Sequence, residues 1–186
     1  MANDDTPFGL KPVGFIFPPN KYILTANYAT AMGIGDPVVG VAAGTVNQAT
    51  AGTGSAVLGA AAGFQNASGE AVAYFPASST GTWYIWVYDN PLQEFMIQDD
   101  GTVTQIAATD VFNSGNLITT HAASSVTGLS GFELNSSDAA TAFAVGDQLR
   151  IWGLVDMPGN AVGANAKWRV TIDNHMRLPN IVGVGV

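Results

Sequence analysis

The chain has 186 residues, 47% of them apolar and only 11% charged, with no cysteine and a formal net charge of −8. Soluble domains ordinarily carry about 25% charged residues, so this composition describes a protein with a sizeable core and with surface to hide against partners; its hydrophobicity excludes disorder. Without cysteine there is no disulfide framework, no thiolate nucleophile and no Cys-ligated metal.

The charges are unevenly placed. Lys11 and Lys21 lie near the start and Arg150, Lys167, Arg169 and Arg177 near the finish, while residues 22 to 149 contain ten acids and no Lys or Arg. Binding to phosphate backbones requires clustered Lys and Arg, so no nucleic-acid partner is expected. The opening MANDDTPFG has acids where a secretion signal has its basic region, and no run approaches the about 18 apolar residues of a membrane span. Synthesis in the cytoplasm and no membrane partner are the expectations.

The first 20 residues hold four of the nine prolines (Pro7, Pro12, Pro18 and Pro19) together with Phe8, Leu10, Phe15 and Phe17. Proline keeps such a segment extended at low entropic cost, and its apolar side chains must bury somewhere, either on their own domain or across a neighbouring subunit. Residues 1–21 are therefore read as an extended N-terminal arm. Beyond it, short runs rich in Val, Ile, Tyr, Phe and Trp alternate with Gly, Pro, Asn, Asp and Ser clusters, which is the punctuation of a β domain. Strands are predicted over 22–25, 37–42, 56–63, 70–75, 82–88, 93–98, 103–107, 147–155 and 166–173. In TWYIWVY, alternation places Trp83, Ile85 and Val87 on one face and Tyr84, Trp86 and Tyr88 on the other, so the strand is expected to be central or to meet another subunit. The turn Asp89-Asn90-Pro91 and the returning QEFMIQ predict a hairpin meander, with Asp99-Asp100-Gly101 as a solvated turn. Helix signals are confined to Ser136-Ser137-Asp138, able to cap a short helix over Ala139 to Phe143. The final PNIVGVGV (Pro179 to Val186) is uncharged and reads as a second extended end. Together these predict an all-β fold, an antiparallel barrel or jelly-roll-like sandwich with an extended arm and at most one short helix, in a single β-rich domain over 22–186.

Catalytic constellations are scarce. His121 and His175 stand in no ligand motif, and Ser130 in TGLSGF departs from the esterase elbow at Phe132. Asp99 and Asp100 are adjacent and would point to opposite faces of a strand. GIGD and GTGS lack the third glycine of a dinucleotide loop and the lysine of a phosphate loop. No enzyme activity and no cofactor are expected, although Asp89 with Glu94 meets the minimal description of a glycosidase carboxylate pair.

The segments TPFGLKPVG, GDPVVGVAAG, YDNPLQEFMIQDDG, VTGLSGFELNSS and NAVGANAKWRVTIDNHMR follow one another along the chain. Their order resembles that of a group of small bacteriophage and prophage structural proteins, whose arm reads PFG-L-R/K-P-V, whose middle reads V-x-D-D-P-x-x-x-F-x-x-Q and whose end reads G-x-N-A-K-x-x-V-x-I-N-N-H. The likeness runs from Pro7 to His175 and departs at Asn90, where the group commonly has Asp, and at Asp173, where it commonly has Asn. It is similar to the capsid decoration, or cement, proteins of tailed phages. The resemblance implies a noncatalytic virion protein that binds the outer surface of the expanded head as a homo-dimer or homo-trimer, contacts the major capsid protein and stabilises the shell. Candidate capsid or subunit contacts are Phe8, Leu10, Phe15 and Phe17 of the arm and the basic Lys167, Arg169 and Arg177. Alternatives are another virion component (tail, fibre or head fibre) and a carbohydrate-binding module using Trp83, Trp86 or Trp168 as a stacking platform.

Overall fold

The computed structural model describes residues 3–102, 104–139, 144 and 146–178. Among them fifteen strands run in the order β1 Lys11–Val13, β2 Asn20–Ile23, β3 Met32–Gly33, β4 Pro37–Gly40, β5 Val46–Gln48, β6 Gly59–Gln65, β7 Ala71–Val72 and β8 Tyr74–Phe75. They continue with β9 Tyr84–Tyr88, β10 Glu94–Gln98, β11 Ser114–Gly115, β12 Leu117–Thr119, β13 Phe132–Leu134, β14 Leu149–Leu154 and β15 Lys167–Ile172. A single-turn helix α1, Ser136–Ala139, and a 3-10 turn, Ala108–Asp110, complete the regular structure. The helix begins where Asn135 Oδ1 accepts from the N–H groups of Ser137 and Asp138, so Asn135 is its cap and not the serines that follow.

The fold is an all-β sandwich of antiparallel sheets. One sheet has the order β1-β10-β15-β14-β11 and the other β2-β9-β6-β4-β5, with β7 added to β6. The pairs β12-β13 and β3-β8 form two smaller sheets. Phe95, Ile97, Leu149, Ile151, Trp168, Val170 and Ile172 alternate onto the inner face of the five-stranded sheet, where they join Leu117, Phe132 and Leu134 in one cluster. Each such side chain contributes about 2 kcal/mol relative to exposure. A second cluster of Val38, Phe64, Ile85 and Val87 packs the six-stranded sheet against Met32 and Phe75 of β3 and β8. Strand β9 is central, between β2 and β6; Ile85 and Val87 are buried in the second cluster, while on the other face Tyr88 packs on the first cluster and Tyr84 and Trp86 stay half-exposed.

Three expectations are corrected. Strands β9 and β10 form no hairpin, because β9 pairs with β2 and β6 while β10 pairs with β1 and β15. The connection crosses from one sheet to the other. Tight hairpins favour residues with positive φ, and Asp-Asn-Pro-Leu-Gln offers neither glycine nor any positive φ. Instead, buried Asp89 and Gln93 bond to distant segments, as described below. No strand forms over 104–107, and residue 103 lies outside the described residues. Asp99 is not solvated. It is 1% exposed and accepts from Trp168 Nε1 at 2.9 Å, the Asn165 N–H at 2.8 Å and the Gly101 N–H at 3.1 Å. The predicted helix beyond Ala139 and the end from Pro179 lie outside the described residues.

The N-terminal segment lies along its own two sheets, giving β1 to the edge of one and β2 to the edge of the other. Its crossing of the β3–β4 turn leaves no space. Gly9 (φ +71°) and Gly35 (φ +91°) pass backbone to backbone, the Leu10 N–H donating to the Gly35 carbonyl at 2.8 Å. A Cβ on Gly9 would overlap that carbonyl and sit 2.5 Å from Ser130 Cβ, so both conformation and space require glycine here.

Candidate functional site

The outer face of the five-stranded sheet gathers most of the chain's positive charge. In the pairing register Lys11 stands opposite Met96, Met96 opposite Arg169, Gln98 opposite Lys167, and Arg150 opposite Thr171. Directly opposed residues share a face, and Phe95, Ile97, Trp168 and Val170 point into the core. Lys11, Arg150, Lys167 and Arg169, four of the six basic residues, therefore project from one surface. Glu94 Oε2 lies 3.8 Å from Arg169 Nε, and Asp173 Oδ2 accepts from Arg150 at 2.9 Å. Among the described residues neither Lys11 nor Lys167 has an ion pair, so this surface is electropositive in an acidic molecule. Trp152 extends it. As the extra residue of a bulge between Ile151 and Gly153, it donates from Nε1 to Thr171 Oγ1 and meets Phe112 edge-on at 5.9 Å. The sequence reading missed this pair, because a bulge breaks the alternation that reveals which side a residue faces.

Beside Met96 the surface deepens into a groove of about 820 Å³. One wall is the N-terminal segment with Phe8 and buried Leu10. The other is the segment around Leu129, held against Ile34 by bonds from the Ile34 N–H to the Gly128 carbonyl (2.7 Å) and from the Ser130 N–H to the Ile34 carbonyl (2.9 Å). Gly33 permits this approach, since a Cβ there would come within 2.7 Å of the Leu129 backbone. Lys11 and Lys167 both line the groove. His121 stands at its edge, mostly exposed, with Nδ1 3.0 Å from Thr120 Oγ1. Beyond it Glu133 is 2% exposed, accepting from Gln98 Nε2 and from Thr120 Oγ1, and burial raises its carboxyl above the usual range.

Of the sequence-chosen contacts, Phe8, Leu10 and Lys167 meet at this groove, although Leu10 is fully buried within its own chain. Arg169 lies on the adjoining sheet face. Phe15 and Phe17 stand elsewhere, at the corner where Gln93 binds the arm. Gln93 Oε1 accepts from the Phe17 N–H, and its Nε2 donates to the Val13 and Glu94 carbonyls. There Phe15 (77% exposed), Ile16 and Leu92 (76%) form an apolar tip, with the Phe15 ring edge-on to Phe17 at 4.9 Å. Arg177 turns to a different task, donating to Asp89 Oδ2 at 3.1 Å. Asp89 also accepts from Asn20 Nδ2 and from the Tyr22 hydroxyl, whose pKa burial and the neighbouring carboxylate push up to about 12.

The remaining candidates are structural in their surroundings. His175 is 4% exposed, its Nδ1 accepts from the Arg177 N–H, and burial lowers its pKa and keeps the ring neutral. Ser130 is buried and its Oγ accepts from the Phe132 N–H. Trp168 is wholly buried and Trp83 packs edge-on to Phe75 at 5.0 Å. Of the three tryptophans considered for a sugar platform, Trp86 lies along an open hollow of about 430 Å³, shared with Tyr88 and Gly63. Compared with family models, curated proteins and solved structures, the chain matches none.

Proposed function

We propose that the protein is a noncatalytic structural protein of a tailed-phage virion that decorates the outside of the capsid and braces the expanded head. The motif order described above brings the reading to this chain. The observation that carries it physically is the polarised surface: four of six cations share one sheet face in a chain of net charge −8. A cement protein needs one face that adheres to a shell and others that repel solution partners, and charge segregated in this way supplies both. Repetition of a modest contact around a symmetric ring raises the overall affinity without further chemistry.

The test is co-sedimentation with expanded empty heads of the parent phage, with unexpanded heads as the control. Wild-type protein should bind saturably in fixed ratio to capsid subunits. Lys167→Glu with Arg169→Glu reverses the charge of two surface side chains and should lower occupancy at least tenfold while circular dichroism stays unchanged. Full occupancy by the folded variant, or no binding by wild type, would refute the reading.

A further inference from the structure

The groove beside Met96 has the size and polarity of a ligand site. Its volume of about 820 Å³ falls within the roughly 300–1,000 Å³ typical of pockets for small molecules, and Phe8, Leu10, Ile34, Met96, Leu129 and Met157 give it an apolar interior. Its charge is selective. The chain has 14 acidic and 6 basic residues, yet the charged side chains lining the groove are Lys11 and Lys167, with no Asp or Glu among the lining residues. Strands β1 and β15 flank β10 at about 4.8 Å each, Lys11 opposite Met96 and Lys167 opposite Gln98, so the two lysines stand diagonally across β10, close enough for their long side chains to meet a single anion held between them. Neither lysine has an ion pair among the described residues, and Lys167 is half-buried, so a ligand carboxylate would supply the charge-assisted partner that both lack. A peptide strand suits the groove less well, because Pro12 in edge strand β1 lacks the N–H that an added strand would pair with.

We propose that this groove binds an aliphatic monocarboxylate, its chain against the apolar walls and its carboxylate between Lys11 and Lys167. The proposal is independent of capsid binding, since it concerns the isolated chain. Dodecanoate is the probe, titrated calorimetrically into the purified full-length protein, with butyrate as the short-chain comparison. Saturable one-to-one binding of dodecanoate is expected, with butyrate at least tenfold weaker. Lys11→Met with Lys167→Met keeps the aliphatic stems, removes both charges and should weaken dodecanoate about tenfold or more. Met157→Glu places a like charge at the exposed rim without touching the core, and should do the same even if the double variant folds poorly. Lys21→Met, on the other sheet, should bind as wild type does. Absence of saturable binding, equal affinity for butyrate, undiminished binding by the folded groove variants, or an equal loss in Lys21→Met would overturn the assignment.

Discussion

At Gly9 a single missing side chain decides how the N-terminal segment meets the rest of the molecule. Its φ of +71° is costly for any residue with a Cβ, and that Cβ would enter the Gly35 carbonyl and approach Ser130. Neither neighbour is the loose end of a flexible chain. Gly9→Ala should therefore lose about 3 kcal/mol, from backbone strain and overpacking together. Urea unfolding of wild type and variant checks it, and a loss under about 1 kcal/mol would show that the crossing can relax. The same locality explains why PFGL marks the sequence so sharply: Gly9 supplies the crossing and Leu10 the wholly buried anchor that follows it.

Among the elements, one buried glutamine pins the corner of the arm between its two edge strands. Gln93 is 0% exposed and meets the Phe17 N–H and the Val13 carbonyl from across the turn, so it ties both the end of β1 and the approach to β2 to the start of β10. Gln93→Leu leaves those backbone groups without their partners, and a destabilisation of about 1–3 kcal/mol is expected. Amide exchange at Phe17 should rise more than exchange in β15, which has no bond to this side chain. Uniform acceleration would mean that Gln93 supports the whole fold and not the arm. This residue also shows where sequence reading stops. Apolar alternation made the two faces of β9 legible, and the strands β10, β14 and β15 were found as apolar runs between turns, because such patterns need only neighbouring residues. The partners of Gln93 lie 76 and 80 residues away, and nothing in DNPLQE announces them. Asp89 and Asp99 looked like ordinary turn acids for the same reason, yet both are buried acceptors for donors from remote strands, and those distant bonds take the place of the local hairpin. Strands of two or three residues, such as β3, β11 and β12, were equally hidden, since so short a run carries no period. The site was legible in part: composition and placement singled out Lys167 and Arg169, but only the register revealed that Lys11, nearly the whole chain away, shares their face.

Viewed whole, the molecule separates two kinds of exposed surface, a basic sheet face with its groove and an apolar tip at the corner bound by Gln93. Exposed aromatic and aliphatic side chains gathered in one place mark an interaction site more strongly than scattered ones do. The tip has Phe15 and Leu92 each about three-quarters exposed, with Ile16 beside them. Neither Phe15 nor Leu92 belongs to the buried clusters, so removing them separates association from folding. Deleting residues 1–20 would not, because it also removes Leu10, all of β1 and the first residue of β2. Phe15→Ser with Leu92→Ser should leave stability within about 0.5 kcal/mol of wild type. If the tip joins copies of the chain, sedimentation velocity should show an oligomer for wild type and a monomer for this variant at the same concentration. An unchanged oligomer would move the self-association surface to the sheet face, where the Lys167 and Arg169 charge reversal would then dissociate it.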